Sequence, residues 1–409
     1  MLNLQVTLPA KTETSYPILI DSGLLKNASL WNVDLSNYKH IIIITDTTVG
    51  NLYADILKRA IGLIHNNCVK VLEIEPGEES KTAKTKEWLE SEMLQCQLSR
   101  DTLCVALGGG VVGDITGFVC ATYKRGIDYI QVPTTLLSMV DSSVGGKTAI
   151  NTSYGKNLIG AFWQPKAVII DLNCLESLPI THLTAGLVEA IKIFLTSNAV
   201  MFDYVKNHVA EILDGNKTVL QYIIAEAVKL KASVVERDER EENLRMILNF
   251  GHTVGHGLEF VTNYELLHGY AVAFGIIIEA KIAVATGKLA EGVVEEITNL
   301  FMRLGIIDII NKTIINQLKH QSVSQLVSAI STALIHDKKN KNGNVRCVLL
   351  KQIGAVSVGG NVDGDVGGNV DINADGHIDV SMNNYDVVIA KPIPMEIINQ
   401  ILFEYLECI

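Results

Sequence analysis

Short apolar runs rich in β-branched residues alternate with helical stretches through the first 180 residues. Five of these runs carry few charges and lie at 41–45, 69–74, 102–107, 129–132 and 167–171. A run without polar alternation is typical of a strand buried on both faces, as in a parallel sheet with crossover helices. The pattern therefore restricts the first half of the chain to an α/β architecture.

The pattern changes at about Thr181, beyond which the apolar residues follow longer helical periods. The stretches 219–236 and 271–285 are examples, and strand-like runs become rare. Because 409 residues exceed the usual length of one domain, we expect two. We place an α/β domain over residues 1–180 and a mostly α-helical domain over residues 181–409.

One segment of the helical half, 359–384, is rich in glycine, asparagine and aspartate and contains an approximate repeat. Apolar runs flank it at 345–353 and 385–390, and these would pair naturally as strands. We expect a surface insert at the tip of that hairpin, where added residues are tolerated.

Part of this insert resembles a calcium-binding loop. Asp371, Asn373, Asp375 and Gly376 match the beginning of such a loop, in which alternate oxygen ligands surround the ion. Its twelfth position would be Met382, where a carboxylate is required. We therefore favour a polar loop that binds no ion.

Composition excludes several classes of function. A net charge of -11 argues against nucleic acid and anionic membranes as partners. The seven cysteines form no CxxC pair, which favours reduced thiols and a cytoplasmic protein. The first residues lack the pattern of a signal peptide, and the longest apolar runs fall short of the roughly 20 residues that span a bilayer.

A glycine-rich turn follows one of the predicted strands. The run 105–107 leads into Gly108, Gly110 and Gly113, a GxGxxG pattern that lets backbone N–H groups approach a pyrophosphate at a helix N-terminus. The signal is weak by itself because any tight turn from strand to helix favours glycine. An earlier strand ends at Asp46, whose carboxylate can accept hydrogen bonds from a ribose.

Histidines and acidic residues suggest a metal site. Glu189 precedes Lys192 at helical spacing, and His252, His256 and His268 follow later in the chain. Two imidazoles and one carboxylate form a zinc site that leaves a coordination position for substrate. Spacing alone does not decide between the pairs His252 with His256 and His252 with His268.

The residues around these histidines are also unusual. On a single helix, offsets of 4, 7 and 11 place Arg245, Asn249, His252 and His256 on one polar stripe. Glycines beside the two histidines are expected to leave room for a ligand.

Cationic residues cluster in glycine- and threonine-rich contexts, as at Arg125, Lys147, Lys156 and Lys231. Each alone is most simply a solvated surface residue. As a set in an acidic protein, they predict a small anionic substrate that carries phosphate or carboxylate groups.

Seven segments resemble the 3-dehydroquinate synthase family, in family order. They are GGGVVGDITGF, YKRG, QVPTTLLSMVDSSVGGKTAIN, GKNLIGAFWQP, GLVEAIK, RMILNFGHTVGHGLE and LLHG. The resemblance implies an α/β, Rossmann-like NAD-binding domain joined to a mostly α-helical metal-binding domain, with the active site between them. It also implies a homodimer and a small anionic sugar-phosphate substrate.

The activity implied is a phosphate lyase of the shikimate pathway to aromatic amino acids. 3-Deoxy-D-arabino-heptulosonate 7-phosphate is converted to 3-dehydroquinate and phosphate by transient oxidation with NAD, phosphate elimination, reduction and internal aldol closure. Zinc is the implied metal, with Co²⁺ as an alternative.

The same resemblance assigns the site residues. The implied zinc ligands are Glu189, His252 and His268. The implied substrate and catalytic residues are Arg125, lent by a neighbouring subunit, and Asp141, Lys147, Lys192, Lys231, Arg245, Asn249, His256 and Lys338. The implied cofactor contacts are Asp46, Glu78, Lys81, Gly110, Val111, Val112, Gly113, Asp114, Thr134, Thr135, Lys147, Lys156, Cys174 and Ser177.

Two positions depart from the family pattern: Tyr270 replaces a glutamate two residues after His268, and Asn243 replaces a glycine. Three other interpretations of the chain compete with this one. The chain could be a 2-deoxy-scyllo-inosose or valiolone-type synthase, a net oxidoreductase of related fold, or an inactive scaffold. The retained motifs favour 3-dehydroquinate synthase over all three.

Overall fold

Six parallel strands form the central sheet of the N-terminal half, in the order β1-β8-β5-β4-β2-β3. The computed structural model describes residues 15–65, 69–336, 345–357 and 392–409. The strands are β1 (Ile18–Asp21), β2 (His40–Asp46), β3 (Val69–Ile74), β4 (Thr102–Gly108), β5 (Asp128–Pro133), β6 (Lys147–Thr152), β7 (Gly155–Phe162), β8 (Val168–Asp171), β9 (Val345–Arg346), β10 (Leu349–Gln352), β11 (Ala355–Ser357) and β12 (Pro392–Ile393).

Helices connect these strands and then make up most of the second half. They are α1 (Thr47–Val49), α2 (Asp55–Gly62), α3 (Ala83–Gln95), α4 (Gly110–Thr122), α5 (Ile180–Ser197), α6 (Ala199–Asn207), α7 (Val209–Leu213), α8 (Lys217–Arg237), α9 (His252–Val261), α10 (His268–Ala285), α11 (Glu291–Arg303), α12 (Ile306–Leu318), α13 (Val323–His336) and α14 (Met395–Glu407). The predicted α/β half followed by a helical half is confirmed.

Both faces of the sheet are covered, which explains the near-continuous apolar runs. Along β2, Ile41 and Ile43 face the core shared with α2 and the helical half, whereas Ile42 and Ile44 face a second core under α3 and α4. Because successive side chains of a strand point to opposite faces, the central positions of β2, Ile41 to Ile44, are all apolar.

The five predicted strands are confirmed, but two features were missed. Strand β1 pairs with β8 at one edge of the sheet. Strands β6 and β7 form an antiparallel hairpin outside it. The hairpin carries Lys147 and Lys156 in a glycine-rich sequence, whose turns conceal the strand pattern.

The C-terminal strands differ from the expected hairpin. β9 pairs with β12, and β10 pairs with β11, so 345–353 is not one strand. The run 385–390, the insert 359–384 and its calcium-like residues lie outside the described residues.

Helix α10 is the centre of the helical half and contacts α5, α9, α11, α12 and α14. Two helices, α5 and α10, are long and apolar enough to cross a membrane by length and composition, with mean hydropathies of 1.2 and 1.4. In each, 78% of the apolar window is buried inside the protein. Burial among other helices accounts for their composition, as in the core of a helical domain.

Candidate active site

The glycine-rich turn lies where the connections of the sheet change direction. β2 leads outward to β3, whereas its neighbour β4 leads to β5 on the opposite side. Ligands of doubly wound sheets bind at the carboxyl ends of the strands at such a point. Asp46 at the end of β2 and Gly108 at the end of β4 therefore flank a suitable crevice for a dinucleotide.

A cleft of about 1530 Å³ begins at this crevice and extends to the helical half. Most of the residues that the resemblance implies lie along it. They are Asp46, Glu78, Lys81, Gly110, Val111, Val112, Asp114, Thr134, Thr135, Asp141, Lys147, Lys156, Ser177, Lys192, Lys231, Arg245, Asn249, His252, His256 and His268.

The remaining members of the set that the structure describes do not line the cleft. Glu189 is fully buried beside His252 and His268, which do line it. Cys174 is 1% exposed and packs in the core, and Gly113 lies where α4 packs closely on Gln131 of β5. Arg125 is exposed in a turn after α4, with φ of 68°. Lys338 lies outside the described residues.

Glu189, His252 and His268 come together at the helical side of the cleft. Their ligand atoms all lie within 4.8 Å of one another. Oε1 of Glu189 is 3.7 Å from Nε2 of His252 and 3.3 Å from Nε2 of His268. The structure thus groups His268, and not His256, with His252 and Glu189.

The hydrogen bonds of this cluster leave the metal-binding atoms facing one another. Nδ1 of His252 donates to the carbonyl of Phe250 at 3.2 Å, and Nδ1 of His268 donates to Oε2 of Glu259 at 3.2 Å. Both Nε2 atoms can therefore carry lone pairs. Oε1 of Glu189 is buried without a hydrogen-bond partner in the described part of the chain. The two Nε2 atoms and Oε1 of Glu189 are therefore suitable ligand atoms for a divalent cation.

The charges around the cluster are balanced although they are buried. Nζ of Lys192 donates to Oε2 of Glu189 at 2.5 Å. Burial opposes the charge of Lys192, but Glu189 and Asp141 outweigh it and raise the pKa of Lys192. Burial also opposes ionisation of Glu189, yet Lys192 and His268 lower its pKa. Glu189 is therefore an anion, as a metal ligand must be.

His268 carries a proton where a metal would bind. Burial favours its neutral form, but Glu259 and Glu189 outweigh this effect and raise its pKa to about 10. A cation beside Nε2 would take the place of that proton.

Lys231 and Asp141 form a second buried ion pair beside this cluster. Nζ of Lys231 donates to Oδ1 of Asp141 at 2.5 Å. Burial lowers the pKa of Lys231, with Arg245 adding to the effect. The ammonium is therefore poorly solvated, and it is paired with Asp141 where both residues line the cleft.

Two of the glycines beside the histidines, Gly251 and Gly255, do not leave room for a ligand, so the hypothesis was wrong for these two, whereas Gly257 does line the cleft. A Cβ on Gly255 would lie 2.8 Å from the carbonyl oxygen of Ala271, and one on Gly251 would lie 2.5 Å from Ile276. Gly251 also has φ of 77°. These glycines permit α9 to approach α10 closely, on the side away from the cleft.

The single polar stripe is also wrong, because the segment is not one helix. Residues Leu244–Asn249 form a 3₁₀ turn, and α9 begins only at His252, after Gly251. Arg245 and Asn249 still reach the cleft, but they do so from a loop that packs against α8 and α5.

Arg245 is held by carbonyl groups. Its Nη1 donates to the carbonyl oxygens of Gly145 and Glu239, and its Nη2 donates to that of Gly145. A Cβ on Gly145, which has φ of 101°, would lie 2.4 Å from Nη2. The contact with Arg245 therefore explains why Gly145, the first glycine of the VGGK sequence, has no side chain.

Asp238 organises the loop that carries Arg245. Its carboxylate accepts hydrogen bonds from the backbone N–H groups of Glu242, Asn243 and Arg245 at 2.8–3.0 Å. Burial opposes ionisation, but these donors outweigh it and lower the pKa of Asp238.

Replacing Asp238 with asparagine is expected to lower the free energy of unfolding by about 1–2 kcal/mol at pH 7. Because the folded pKa is below the unfolded one, the carboxylate stabilises the fold above pH about 4, and this contribution disappears as the pH falls through the folded value. Urea unfolding of both proteins between pH 7 and pH 3 would measure this difference. A difference that stays constant over the whole range would contradict the explanation.

Sequence reasoning missed three acidic residues. Glu241 pairs with Nζ of Lys147 and accepts a hydrogen bond from Nδ2 of Asn249 at 2.5 Å. Glu279 accepts the backbone N–H groups of Gly251 and Val254 at the start of α9. Glu259 could have been found, since it lies seven residues after His252 on the same helix, but nothing periodic indicates Glu241.

The cofactor side of the cleft is built from buried polar contacts. Nζ of Lys81, 4% exposed, donates to Oδ2 of Asp114 at 2.5 Å and to Oδ1 of Asn157 at 2.6 Å. Asp46 accepts the N–H groups of Thr48 and Val49 as the cap of α1. Lys81 therefore pairs with Asp114.

Tyr270 does not face the cluster of Glu189, His252 and His268. Its hydroxyl donates to the carbonyl of Thr181 and contacts the Thr184 hydroxyl, both at 2.8 Å, between α5 and α10. The side chain is 1% exposed. The departure from the family pattern is thus accommodated by two hydrogen bonds in the core.

Comparison with known proteins identifies the family. Residues 71–185 match the family described as 3-dehydroquinate synthase N-terminal, and residues 186–340 match 3-dehydroquinate synthase C-terminal. The chain belongs to the 3-dehydroquinate synthase family. Most of the cleft lies within the matched residues, whereas Asp46 and its neighbours up to Tyr53 line the cleft but precede residue 71.

Relatives within the 3-dehydroquinate synthase family align over most of the chain. The 3-dehydroquinate synthase of Pelobacter propionicus is 40% identical over 343 residues, which cover 84% of this chain and 92% of that protein. That of Ruminiclostridium cellulolyticum is 38% identical over 355 residues, with coverage of 84% and 92%.

A solved structure of similar fold belongs to another cyclase. 2-Deoxy-scyllo-inosose synthase, complexed with carbaglucose-6-phosphate, NAD+ and Co2+, matches with a TM-score of 0.78 and 25% identity. The match covers 95% of this chain and 96% of the 2-deoxy-scyllo-inosose synthase chain. Sequence identity is therefore higher with the named 3-dehydroquinate synthases.

Proposed function

We propose that this protein is a 3-dehydroquinate synthase. It converts 3-deoxy-D-arabino-heptulosonate 7-phosphate to 3-dehydroquinate and phosphate in the shikimate pathway. Membership of the family supports this activity. The observation that carries it is the cluster of Glu189, His252 and His268, which opens onto the same cleft as the glycine-rich turn.

Glu189, His252 and His268 would hold the metal, zinc or cobalt. A bound divalent cation polarises a substrate hydroxyl and so favours loss of hydride from the carbon that bears it. Oε1 of Glu189 and the two Nε2 atoms would supply three ligands, which would leave positions for substrate oxygens.

The crevice between β2 and β4 would hold NAD. The N-terminus of α4 offers backbone N–H groups to the pyrophosphate. Asp46, Glu78, Lys81, Thr134 and Lys156 line the crevice and the adjoining hairpin. Residues of this crevice would hold NAD, which would supply a transient acceptor for hydride, so the protein would consume no net cofactor.

Cationic and amide side chains would bind the substrate. Lys147, Lys192, Asn249 and His256 are proposed to hold the phosphate, and Lys231 and Arg245 the carboxylate and hydroxyls. Asp141, paired with Lys231, is proposed to lie near the hydroxyl that is oxidised. Arg125, exposed outside its own cleft, would reach the cleft of a partner in a homodimer, and Lys338 would complete the phosphate site.

The chain would work as two domains, 1–180 and 181–409, in the cytoplasm. The cofactor would lie on one domain and the metal on the other, across the cleft. Closure of the two domains around substrate would exclude water during the reaction.

The direct test is phosphate release from 3-deoxy-D-arabino-heptulosonate 7-phosphate by purified protein with NAD and zinc. We expect release that requires both cofactors, stops after chelation and accumulates no NADH. Sedoheptulose 7-phosphate and glucose 6-phosphate serve as control substrates. Release from a control sugar alone would indicate another cyclase, net NADH would indicate an oxidoreductase, and no turnover by zinc-loaded protein would indicate a scaffold.

A further inference from the structure

We propose that Glu259 is the positioning residue for His268 and that it connects this metal ligand to Lys156 on the opposite side of the cleft. The inference rests on the metal site of the proposed function. It concerns a buried carboxylate that the proposed chemistry does not use.

Glu259 contacts the metal site from the same helix that carries His252. Two turns separate the two residues along α9, so both side chains lie on one face. The Glu259 side chain is 3% exposed, and its Oε2 accepts the hydrogen bond from Nδ1 of His268 at 3.2 Å. Because Nδ1 donates to this oxygen, Nε2 of His268 remains available on the side of Glu189, 3.3 Å away.

A carboxylate in this position fixes both the tautomer and the orientation of the imidazole. His268 opens α10 and has no other side-chain acceptor for Nδ1 among the hydrogen bonds of the described residues. Position 270 does not supply one, because Tyr270 bonds to Thr181 and Thr184 instead. Glu259 therefore carries the orienting role alone.

The second oxygen of Glu259 reaches the α/β half of the molecule. Oε1 accepts a hydrogen bond from Nζ of Lys156 at 3.2 Å. The same ammonium lies 4.1 Å from the ring centroid of Tyr264, just beyond the end of α9. Lys156 belongs to β7, so the hairpin of the cofactor side is held against the helix of the metal side.

These two contacts make Glu259 a bridge. One oxygen holds the metal ligand, and the other holds a cation of the hairpin that also lines the cofactor crevice. Loss of the Lys156 contact would free Glu259 to rotate away from His268. We therefore expect Lys156 to influence metal affinity although it does not touch the metal ligands.

The test measures zinc affinity in the full-length protein by competition with a chromophoric chelator at fixed pH. Glu259→Gln is expected to weaken zinc binding by about 10- to 100-fold. Glu265→Gln is the matched control, because Glu265 is exposed, lies three residues before His268 and should leave the affinity unchanged. Glu259→Asp keeps the charge but withdraws the carboxylate from His268, and it should also weaken binding.

A spectroscopic readout separates positioning from stability. In the cobalt-loaded protein, the visible absorption bands should shift in Glu259→Gln and stay unchanged in Glu265→Gln. Lys156→Met should weaken zinc binding less, and the double variant should bind zinc about as weakly as Glu259→Gln alone, since both act through one contact.

Wild-type zinc affinity and an unchanged cobalt spectrum in both Glu259 variants would overturn the inference while leaving the proposed function intact. A wild-type protein without zinc affinity would overturn the metal site of the proposed function, and the inference with it. The phosphate-release assay on the wild type is independent of either variant.

Discussion

Replacing Glu189 with glutamine is expected to lower the rate of phosphate release at least about a thousandfold and to abolish stoichiometric zinc. A metal that polarises a hydroxyl lowers the activation barrier by several kcal/mol, and each 1.36 kcal/mol changes the rate about tenfold. Glutamine has nearly the same shape but no charge. It also leaves Lys192 without the carboxylate that lies 2.5 Å from its ammonium.

The measurements are phosphate release at saturating substrate and zinc content after gel filtration. Glu265→Gln removes a nearby exposed carboxylate and should retain both activity and zinc. Circular dichroism and thermal unfolding establish that the Glu189 variant is folded. Full activity in a folded, zinc-free Glu189→Gln protein would contradict the assignment of Glu189 to the metal.

Replacing Lys192 with methionine is expected to lower the free energy of unfolding by about 3–5 kcal/mol in metal-free protein. The side chain is 2% exposed and its charge lies beside the buried carboxylates of Glu189 and Asp141. Methionine fills a similar volume but removes the ammonium that lies 2.5 Å from the buried Glu189 carboxylate, while the longer contacts of Glu189 with His252 and His268, at 3.7 and 3.3 Å, remain. Bound zinc would restore a positive charge there, so the loss should be smaller in zinc-loaded protein.

Urea unfolding with and without zinc measures both effects. Lys229→Met is the control. Lys229 is 59% exposed, and its ammonium makes a long contact of 3.8 Å with a carboxylate oxygen of Glu226. That change should alter stability by no more than about 0.5 kcal/mol. Equal losses in the two lysine variants would show that the charge of Lys192 does not compensate Glu189. Phosphate release by Lys192→Met should also fall, since Lys192 is proposed to bind phosphate.

The architecture was predictable because burial of a parallel sheet leaves a direct record in the sequence. Strands covered on both faces must be apolar at every position, as Ile41 to Ile44 show, so the five runs identified five strands. Edge strand β1 and the β6–β7 hairpin were missed because their residues are partly exposed and leave no such record. The domain boundary at residue 180 stays a prediction.

The site was predictable as a set of residues but not as a geometry. The motifs named Glu189, His252 and His268 through a family resemblance, whereas spacing left two histidine pairs open. In one arrangement the second imidazole is His256 on α9, and in the other it is His268 on α10. Only the packing of α10 against α5 and α9 brings His268 within 3.3 Å of Glu189.

The roles of Glu241, Glu259 and the glycines were likewise decided by contacts between distant segments. Glu241 meets Lys147 from a loop that has no periodic pattern. Gly251 and Gly255 serve the approach of two helices, which their position beside the histidines does not reveal.

By itself, the sequence determined the α/β and helical halves, the family and the chemical types gathered for the reaction, because these depend on local periodicity and on motifs. The tertiary structure showed that His268 is the imidazole that joins Glu189 and His252, as the resemblance implies, and it alone decided which carboxylate accepts from His268 and which cation contacts that carboxylate across the cleft. Those outcomes depend on distances of a few ångströms between side chains far apart in the chain, and hydrogen bonds and ion pairs change sharply over that range.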